Sequence, residues 1–273
     1  MSVLELAEGG SIYYEHQPPA GEAGCTFVFF NALTGDTSNW EAVIAPMLRE
    51  AGHGTLAFNY RGQAQTRFDP KDHLGTEQIV QDSVALLAEV KPLRPVLVGL
   101  SIGGLFAAKA LLAGARAKAL VLVNTLRKDT PRLRWTGDAL VRAAEVGGLD
   151  LFRDLFLQLL CNQDWIKENR PNFLTEQQDY QPLNPDSGHY KLLAEAGRDA
   201  DWNFPWERLK LPVLVITGLQ DHIFLEPIDV AELFARLPRG IRRDMPDAGH
   251  LIPAERPEKL AHMLLDFAGQ VQI

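Results

Sequence analysis

The chain has 273 residues, of which 46% are apolar and 23% are charged, with 22 glycines and 17 prolines. This composition excludes a disordered chain, a collagen-like repeat and a disulfide scaffold, and the length allows one large domain or two small ones. The net charge of -8 at pH 7 opposes binding to anionic surfaces, so we expect neither nucleic acid nor a membrane among the partners.

The N-terminal residues and the cysteines bear on the compartment. The opening MSVLELAEGG carries Glu5 and Glu8 and lacks the basic start and apolar centre of a secretory signal. The two cysteines, Cys25 and Cys161, have neither CxxC nor metal-binding spacing, which predicts free thiols in a reducing compartment. We therefore expect a cytoplasmic protein without membrane insertion, and the sequence leaves a homodimer open.

The first half of the chain alternates short apolar runs with helical patterns. Six runs predict β-strands, at residues 3–6, 12–15, 26–30, 55–59, 96–100 and 119–123. Several are apolar at successive positions, which is typical of strands covered by helices on both faces. One helix is predicted between the fourth and fifth of these strands, with Thr76 as its cap and apolar residues from Ile79 to Val90. This rhythm predicts a mostly parallel sheet.

The alternation stops near Leu126 and resumes at residues 212–217. Between them no strand is predicted, and a helix is indicated by an apolar stripe, Phe152, Leu155, Phe156 and Leu159, with breaks at Gly147-Gly148 and Pro171. A helix at 230–237, a strand at 241–245 and a last helix from Pro257 to near Gly269 follow. The organisation predicted is one α/β domain, residues 1–125 and 210–273, with a helical insertion at 126–209.

A G-x-S-x-G motif lies between the fifth predicted strand and a small, apolar helix at 105–112. It reads Gly99-Leu100-Ser101-Ile102-Gly103. A serine on such a tight turn is held in a strained conformation, and glycines on each side let the strand and helix approach closely. A phosphate-binding loop is the alternative, but neither GK[ST] nor GxGxxG accompanies the motif. The spacing favours a nucleophilic serine, with the Ile102 N–H where an oxyanion would form.

With these residues the chain resembles the α/β-hydrolase superfamily, specifically its lid-bearing, serine esterase-like branch. The resemblance covers nearly the whole chain, and it implies a mostly parallel sheet flanked by helices with a helical cap at 126–209. It also implies the chain order nucleophile, acid, histidine. Asp221, in the segment after 212–217, and His250, in Asp247-Ala248-Gly249-His250, stand at the positions of the acid and the histidine.

The resemblance assigns a role to each of these residues. Ser101 is the nucleophile, His250 takes its proton, and Asp221 orients the imidazole and stabilises its cation. His222 competes with His250, and we expect it at the pocket wall or the surface because it adjoins Asp221. Asp247 competes as the acid, and its short separation from His250 indicates a loop carboxylate instead.

The loop after the third strand departs from the family pattern. Asn31 and Ala32 stand where the family has histidine and glycine, and the Leu33 N–H is the expected second oxyanion donor. Asn31 could take part in the chemistry, but we expect its amide to tie the loop together. Asp36 could approach the substrate or cap a helix that begins near Ser38, and the capping-type role is the commoner one. Arg61, in a segment that matches the R-G-x-G of the family, is expected to tether loops.

The insertion is rich in aromatic residues, which predicts a largely apolar pocket above Ser101. No metal-ligand spacing occurs, and no cofactor is expected.

The leading hypothesis is a metal-independent serine hydrolase that acts on an ester, lactone or thioester of a small apolar substrate. Carbon–carbon bond hydrolysis or perhydrolysis by the same triad is an alternative, as is a weakly catalytic ligand-binding relative. No pair of arginines is identified beside Ser101, so neutral esters are expected to be preferred over esters with a free carboxylate or a phosphate. Arg61 or an arginine of the insertion would overturn this expectation.

Overall fold

The structure is a computed structural model that describes residues 2–6 and 9–272, and it is built around one eight-stranded sheet. The strands are β1 (Ser2–Glu5), β2 (Ser11–Gln17), β3 (Thr26–Phe30), β4 (Gly54–Asn59), β5 (Pro95–Leu100), β6 (Ala119–Val123), β7 (Val213–Gly218) and β8 (Gly240–Met245). Their spatial order is β1-β2-β4-β3-β5-β6-β7-β8. β1 and β2 pair antiparallel, β2 pairs antiparallel with β4, and the remaining pairs are parallel.

Helices connect the strands. They are α1 (Ser38–Glu41), α2 (Ile44–Glu50), α3 (Thr76–Val90), α4 (Ile102–Leu112), α5 (Pro131–Leu160), α6 (Gln163–Asn169), α7 (Gly188–Lys191), α8 (Pro227–Ala235), α9 (Ile252–Glu255) and α10 (Pro257–Gln270). Short 3-10 turns occupy Arg170–Asn172 and Trp206–Arg208, and a π-helical turn at Leu192–Ala196 continues α7.

The sheet is covered on both faces, which is why its strands are apolar at successive positions. In β5, Leu97 packs with α3, α4 and α8 on one face, whereas Val96 and Val98 pack with α1, α2 and α10 on the other. Period-2 alternation sends neighbouring side chains to opposite faces, so a doubly covered strand must be apolar throughout. The predicted mostly parallel, doubly covered sheet is confirmed.

The predicted strands agree with the structure to within a residue or two at each end, and helix ends differ more. The prediction that Thr76 caps α3 is wrong. Thr76 is the first residue of the helix, and Gly75 precedes it in an extended conformation. The Thr76 hydroxyl instead donates to the carbonyl of Ala196 at 3.1 Å. A tertiary contact therefore uses the group that the local sequence assigned to capping. At the other end of the chain, α10 runs one residue past Gly269.

Residues 126–209, which we call the insertion, connect β6 to β7 and contain no strand among the residues described. α5 is two helices that meet at Gly147 and Gly148, as the glycine pair predicted. Gly148 has φ 70° and ψ -166°, and a Cβ there would lie 2.3 Å from the carbonyl oxygen of Gln181. Only glycine suits this position.

The last part of the insertion shares the core of the main sheet. Trp206 and Leu192 are fully buried in the cluster that also contains residues of α3 and α4. Elsewhere in the fold, Cys25 and Cys161 are buried free thiols, as predicted. None of the described helices combines the length and apolar character needed to cross a membrane.

Candidate active site

Ser101 lies at the sharp turn between β5 and α4. Its backbone has φ 57° and ψ -125°, which a residue with a Cβ rarely adopts. The glycines permit the turn: a Cβ on Gly99 would lie 2.3 Å from the Cα of Gly104, and one on Gly103 would lie 2.4 Å from the carbonyl oxygen of Phe30. The strained serine turn predicted from the motif is therefore present.

His250 and Asp221 form a buried pair. Nδ1 of His250 lies 2.6 Å from Oδ2 of Asp221, and the two side chains are 5% and 2% exposed. The other carboxylate oxygen accepts hydrogen bonds from the N–H groups of Ile223 at 3.0 Å and Phe224 at 2.9 Å. Burial acts to raise the pKa of Asp221, but the imidazole and the two N–H donors outweigh it and hold the pKa below its usual value. An ionised Asp221 favours a proton on Nδ1, which leaves Nε2 as the acceptor.

Among the residues described, two residues of the Ser101 cavity have a backbone N–H group without a protein acceptor. They are Ile102, the first residue of α4, and Leu33, in the loop after β3, and both residues line the same cavity as Ser101. Within residues 2–6 and 9–272, neither group donates a hydrogen bond. A helix leaves its first N–H groups unpaired, which accounts for Ile102. Both residues thus combine an N–H group without a protein acceptor and a place on the cavity wall.

Arg127 is the residue beside Ser101 that sequence reasoning missed. Its Nη2 donates to Ser101 Oγ at 2.9 Å and to the carbonyl of Asn124 at 2.9 Å. Its guanidinium carbon lies 4.6 Å from the ring centroid of Trp202 and 4.5 Å from that of Phe224. The available signal was position: Arg127 closely follows β6, at the edge where the carboxyl ends of parallel strands form ligand sites.

The loop that carries His250 is held by side chains from other segments. The two carboxylate oxygens of Glu255 accept hydrogen bonds from the N–H groups of Gly249 and Leu251, each at 2.8 Å. Nδ2 of Asn124 donates to the carbonyl of His250 at 2.9 Å. Sequence reasoning assigned no role to Glu255 or Asn124. Together they fix the backbone on both sides of the imidazole.

The end of α5 also docks on this loop. The carbonyl of Leu160 accepts a hydrogen bond from the N–H of His250 at 2.5 Å, and that of Leu159 accepts one from His222 at 2.9 Å. The last carbonyls of a helix have no partner within the helix, so they are free for such contacts. The side chain of His222 is exposed, in agreement with the predicted surface position.

Asp247, the competing acid, belongs to a surface ion-pair cluster. Its carboxylate lies 2.7 Å from Nζ of Lys259 and 3.3 Å from Nε of Arg256. The hydrogen bond from Lys259 is the main reason that the pKa of Asp247 is lowered. The structure thus pairs His250 with Asp221 and leaves Asp247 as a loop carboxylate, as expected.

Asn31 ties together the loops behind the site. Its Nδ2 donates to the carbonyl of Phe58 at 2.8 Å and to Oε1 of Gln63 at 3.0 Å, while its Oδ1 accepts from Nε1 of Trp40 at 2.8 Å. The residue is 1% exposed. This network supports the predicted structural role of the amide and explains how the loop accommodates asparagine.

Arg61 and Asp36, the two other polar residues discussed in the sequence analysis, stabilise loops and helix ends. Arg61 is buried and makes a bidentate contact with Asp82 of α3, with nitrogen–oxygen distances of 2.7 and 2.8 Å. It therefore joins its loop to a helix. Asp36 accepts a hydrogen bond from the N–H of Ser38 at 2.8 Å, immediately before α1. That contact is of the capping type expected.

Ser101, His250, Leu33 and Ile102 line one cavity of about 800 Å³. Most of its wall comes from the insertion and is apolar, with Phe152, Leu157, Trp165 and Phe173 among the lining residues. Four arginines also line it: Arg127, Arg134, Arg153 and Arg198. Among the residues described, Ser101 makes no hydrogen bond to His250. In the same part of the chain, no group of three His, Cys, Asp or Glu side chains is arranged to hold a metal ion.

Comparisons with known proteins agree with this architecture. The model of the Alpha/beta hydrolase family matches residues 27–263. The uncharacterized hydrolase YugF of Bacillus subtilis (strain 168) is 22% identical, over 95% of each chain. A thermophilic esterase from Thermogutta terrifontis has a TM-score of 0.79 at 20% identity, with 100% of both chains covered. The enol-lactonase from Burkholderia xenovorans LB400 has a TM-score of 0.77 at 22% identity, over 98% of this chain and 100% of that one.

Proposed function

Because the chain belongs to the alpha/beta hydrolase family, we propose that it is a metal-independent serine hydrolase that cleaves an ester, lactone or thioester of a small apolar substrate. The observation that carries this proposal is the strained Ser101 turn in one cavity with a His250 paired to the buried Asp221. A serine hydroxyl is a poor nucleophile until a neighbouring base accepts its proton, and Nε2 of His250 is suited to that task.

In the proposed reaction, Ser101 Oγ attacks the substrate carbonyl while Nε2 of His250 takes the hydroxyl proton. Asp221 keeps the imidazole in the required tautomer and stabilises the imidazolium. The N–H groups of Leu33 and Ile102 donate hydrogen bonds to the oxyanion that develops. His250 then gives its proton to the leaving alcohol or thiol, and a water molecule activated by the same imidazole hydrolyses the acyl-enzyme.

The proposal requires one movement at the serine. Ser101 Oγ accepts a hydrogen bond from Arg127 and makes none with His250 among the residues described. An accepting hydroxyl keeps its own proton available for donation. We expect its side chain to turn toward His250 when substrate enters, since catalytic hydrogen bonds often tighten only in the substrate complex.

We propose that the insertion acts as the cap of this site. Its support is the cavity wall, to which α5 contributes Leu133, Phe152 and Leu157 and the segment before β7 contributes Trp202. Apolar walls exclude water from the reacting carbonyl and strengthen the electrostatic interactions within the site. They also favour a small apolar acyl or alcohol group.

Labelling with a fluorophosphonate, followed by peptide mapping, tests the function without knowledge of the substrate. The reagent should modify Ser101 alone, and Ser101→Ala should abolish labelling and lower ester turnover by at least about 10³-fold. Ser38→Ala removes an exposed hydroxyl outside the cavity and should behave as the wild type. Modification of another residue, with Ser101 untouched in folded protein, would refute the proposal.

A further inference from the structure

Arg127 is a buried cation beside Ser101. It is 6% exposed, and within residues 2–6 and 9–272 it forms no salt bridge. Burial lowers the pKa of Arg127 to about 10, although the nearby charge of Asp221 acts to raise it, and the guanidinium stays charged at neutral pH. A buried charge is costly unless it is paired, so its surroundings require an explanation.

Its contacts account for part of this cost and leave donors free. The rings of Trp202 and Phe224 stack on the guanidinium, at 4.6 and 4.5 Å, and attract the cation. Both protein hydrogen bonds from Arg127 use Nη2, while Nε is buried without a partner and Nη1 donates to no protein atom among the residues described. The fork geometry of a guanidinium suits a carboxylate.

The other arginines of the cavity are arranged differently. Arg134 pairs with Asp129, Arg198 with Asp138 and Arg153 with Asp150, and these arginine side chains are 74%, 59% and 50% exposed. Pairs so exposed are screened by solvent and contribute little. Arg127 is therefore the lining cation that combines burial, free donors and contact with the serine.

We infer that Arg127 is a substrate-binding residue that receives a carboxylate on the acyl part of the substrate. The inference rests on the proposed hydrolase function and changes one part of it, because the acyl group would carry a carboxylate and would not be wholly apolar. The preferred substrate class is then half-esters of short dicarboxylic acids and lactones that carry a carboxylate. The sequence predicts a preference for neutral esters unless Arg61 or an arginine of the insertion lies beside Ser101. Arg127 occupies that place and reverses the expectation.

The position of Arg127 also limits the length of the acyl chain. Its Nη2 lies 2.9 Å from Ser101 Oγ, the oxygen to which the acyl carbon would become bonded. The turn of that side chain toward His250 is a rotation about the Cα–Cβ bond, so Oγ stays close to Arg127. A carboxylate bound to a guanidinium lies about 2.8 Å from its nitrogens. The carboxylate and the reacting carbonyl must therefore be separated by only a few bonds, as in succinate half-esters. The leaving group departs on the side of His250, which protonates it.

Binding to the Ser101→Ala protein tests this inference without turnover. Monomethyl succinate and methyl succinamate have nearly the same shape and differ in charge, so their dissociation constants can be compared by calorimetric titration at pH 7. We expect the acid to bind about 10- to 100-fold more tightly than the amide, the usual effect of hydrogen bonds to charged groups. Equal affinities, or no binding of either compound, would overturn the inference.

Variants identify the responsible cation. In the Ser101→Ala background, Arg127→Met and Arg127→Gln should reduce the preference for the acid to less than about threefold, the loss of the charged contact. Arg198→Gln removes the same charge from the cavity wall and should leave the preference intact. A preference that survives both Arg127 substitutions would refute the inference. If neither variant folds, the affinities of the two ligands for the Ser101→Ala protein, which retains Arg127, still test the inference.

The outcomes separate this inference from the proposed function. A carboxylate preference that depends on Arg127 in a protein whose Ser101 is never labelled would refute the hydrolase and keep the binding residue. Labelling and turnover at Ser101, with no preference between the acid and the amide, would keep the hydrolase and refute the role of Arg127.

Discussion

Glu255 accepts hydrogen bonds from the residues on both sides of His250, one from Gly249 and one from Leu251, each at 2.8 Å. The oxygen that binds Gly249 also accepts from the backbone N–H of Asn162 at 2.6 Å and from its side chain at 2.7 Å. Glu255 thus joins the histidine loop to the junction between α5 and α6. In the proposed mechanism Glu255 is a positioning residue, since it would act through the backbone of His250.

Glu255→Gln should lower kcat by about 10- to 100-fold with little change in KM, because even a 1 Å displacement of a catalytic group is that costly. The NH2 group of glutamine would replace one carboxylate oxygen, so an N–H group on one side of His250 would lose its hydrogen-bond acceptor. Steady-state kinetics on a small ester, with a check of folding by circular dichroism, measures the effect. Glu258→Gln, on the exposed face of α10, is the control. Unchanged kcat in the Glu255 variant would contradict the positioning role.

Asp221→Asn and Asp247→Asn discriminate between the two acids. The first should fold and lose about 10³- to 10⁴-fold in kcat, because asparagine does not hold the Nδ1–H tautomer or stabilise the imidazolium. The second removes an exposed ion-pair partner and should change kcat less than about twofold. The reverse pattern would mean that the triad has been assigned wrongly.

The stability contribution of Asp221 should depend on pH in a defined direction. Its pKa is lowered in the folded protein, so the ionised carboxylate contributes stability above its unfolded pKa, near 3.8, and that contribution is lost as the pH falls through the folded value. Urea unfolding at pH 7, 5, 4 and 3 should show the gap in unfolding free energy between the wild type and Asp221→Asn narrowing below about pH 4. A gap that is constant down to pH 3 would contradict the lowered pKa.

Neutral aryl esters of increasing acyl length test the apolar wall. Each buried methylene contributes about 0.8 kcal/mol, so kcat/KM should rise about fourfold per carbon and fall once the pocket is full. A flat profile, together with turnover of a carboxylate-bearing vinylogous diketone, would favour the carbon–carbon hydrolase. Acyl transfer to hydrogen peroxide in preference to water would favour perhydrolysis, and ligand binding without turnover would favour a non-catalytic relative.

The glycine pair in α5 offers a matched test of backbone strain. Gly148→Ala should lower the unfolding free energy by about 1–3 kcal/mol, because alanine disfavours positive φ and its Cβ would meet the carbonyl of Gln181. Gly137 lies in the same helix with open space around it, so Gly137→Ala should raise stability by up to about 1 kcal/mol. Chemical denaturation of both variants measures the difference. Equal effects would contradict the special role of Gly148.

The parts of the site that depend on local pattern could be predicted from the sequence. Successive apolar residues identified the central strands, and the steric demands of a tight turn identified Ser101. Asp221 and His250 followed from the resemblance and their order in the chain. Arg127 and Glu255 could not be found in this way, because their roles depend on where long side chains end after the chain has folded. Arg127 reaches a serine 26 positions away, and no local period encodes that contact.

The two halves of α5 differ in their contacts with the loop that carries His250. The half after Gly148 ends in the carbonyls of Leu159 and Leu160, which hold the backbones of His222 and His250. An outward displacement of that half would break both hydrogen bonds and displace His250. A displacement of the half before Gly147 would break neither. The hydrogen bonds that α5 makes to the backbones of His222 and His250 thus come from its second half. A substitution in the first half should therefore leave the backbone position of His250 unchanged.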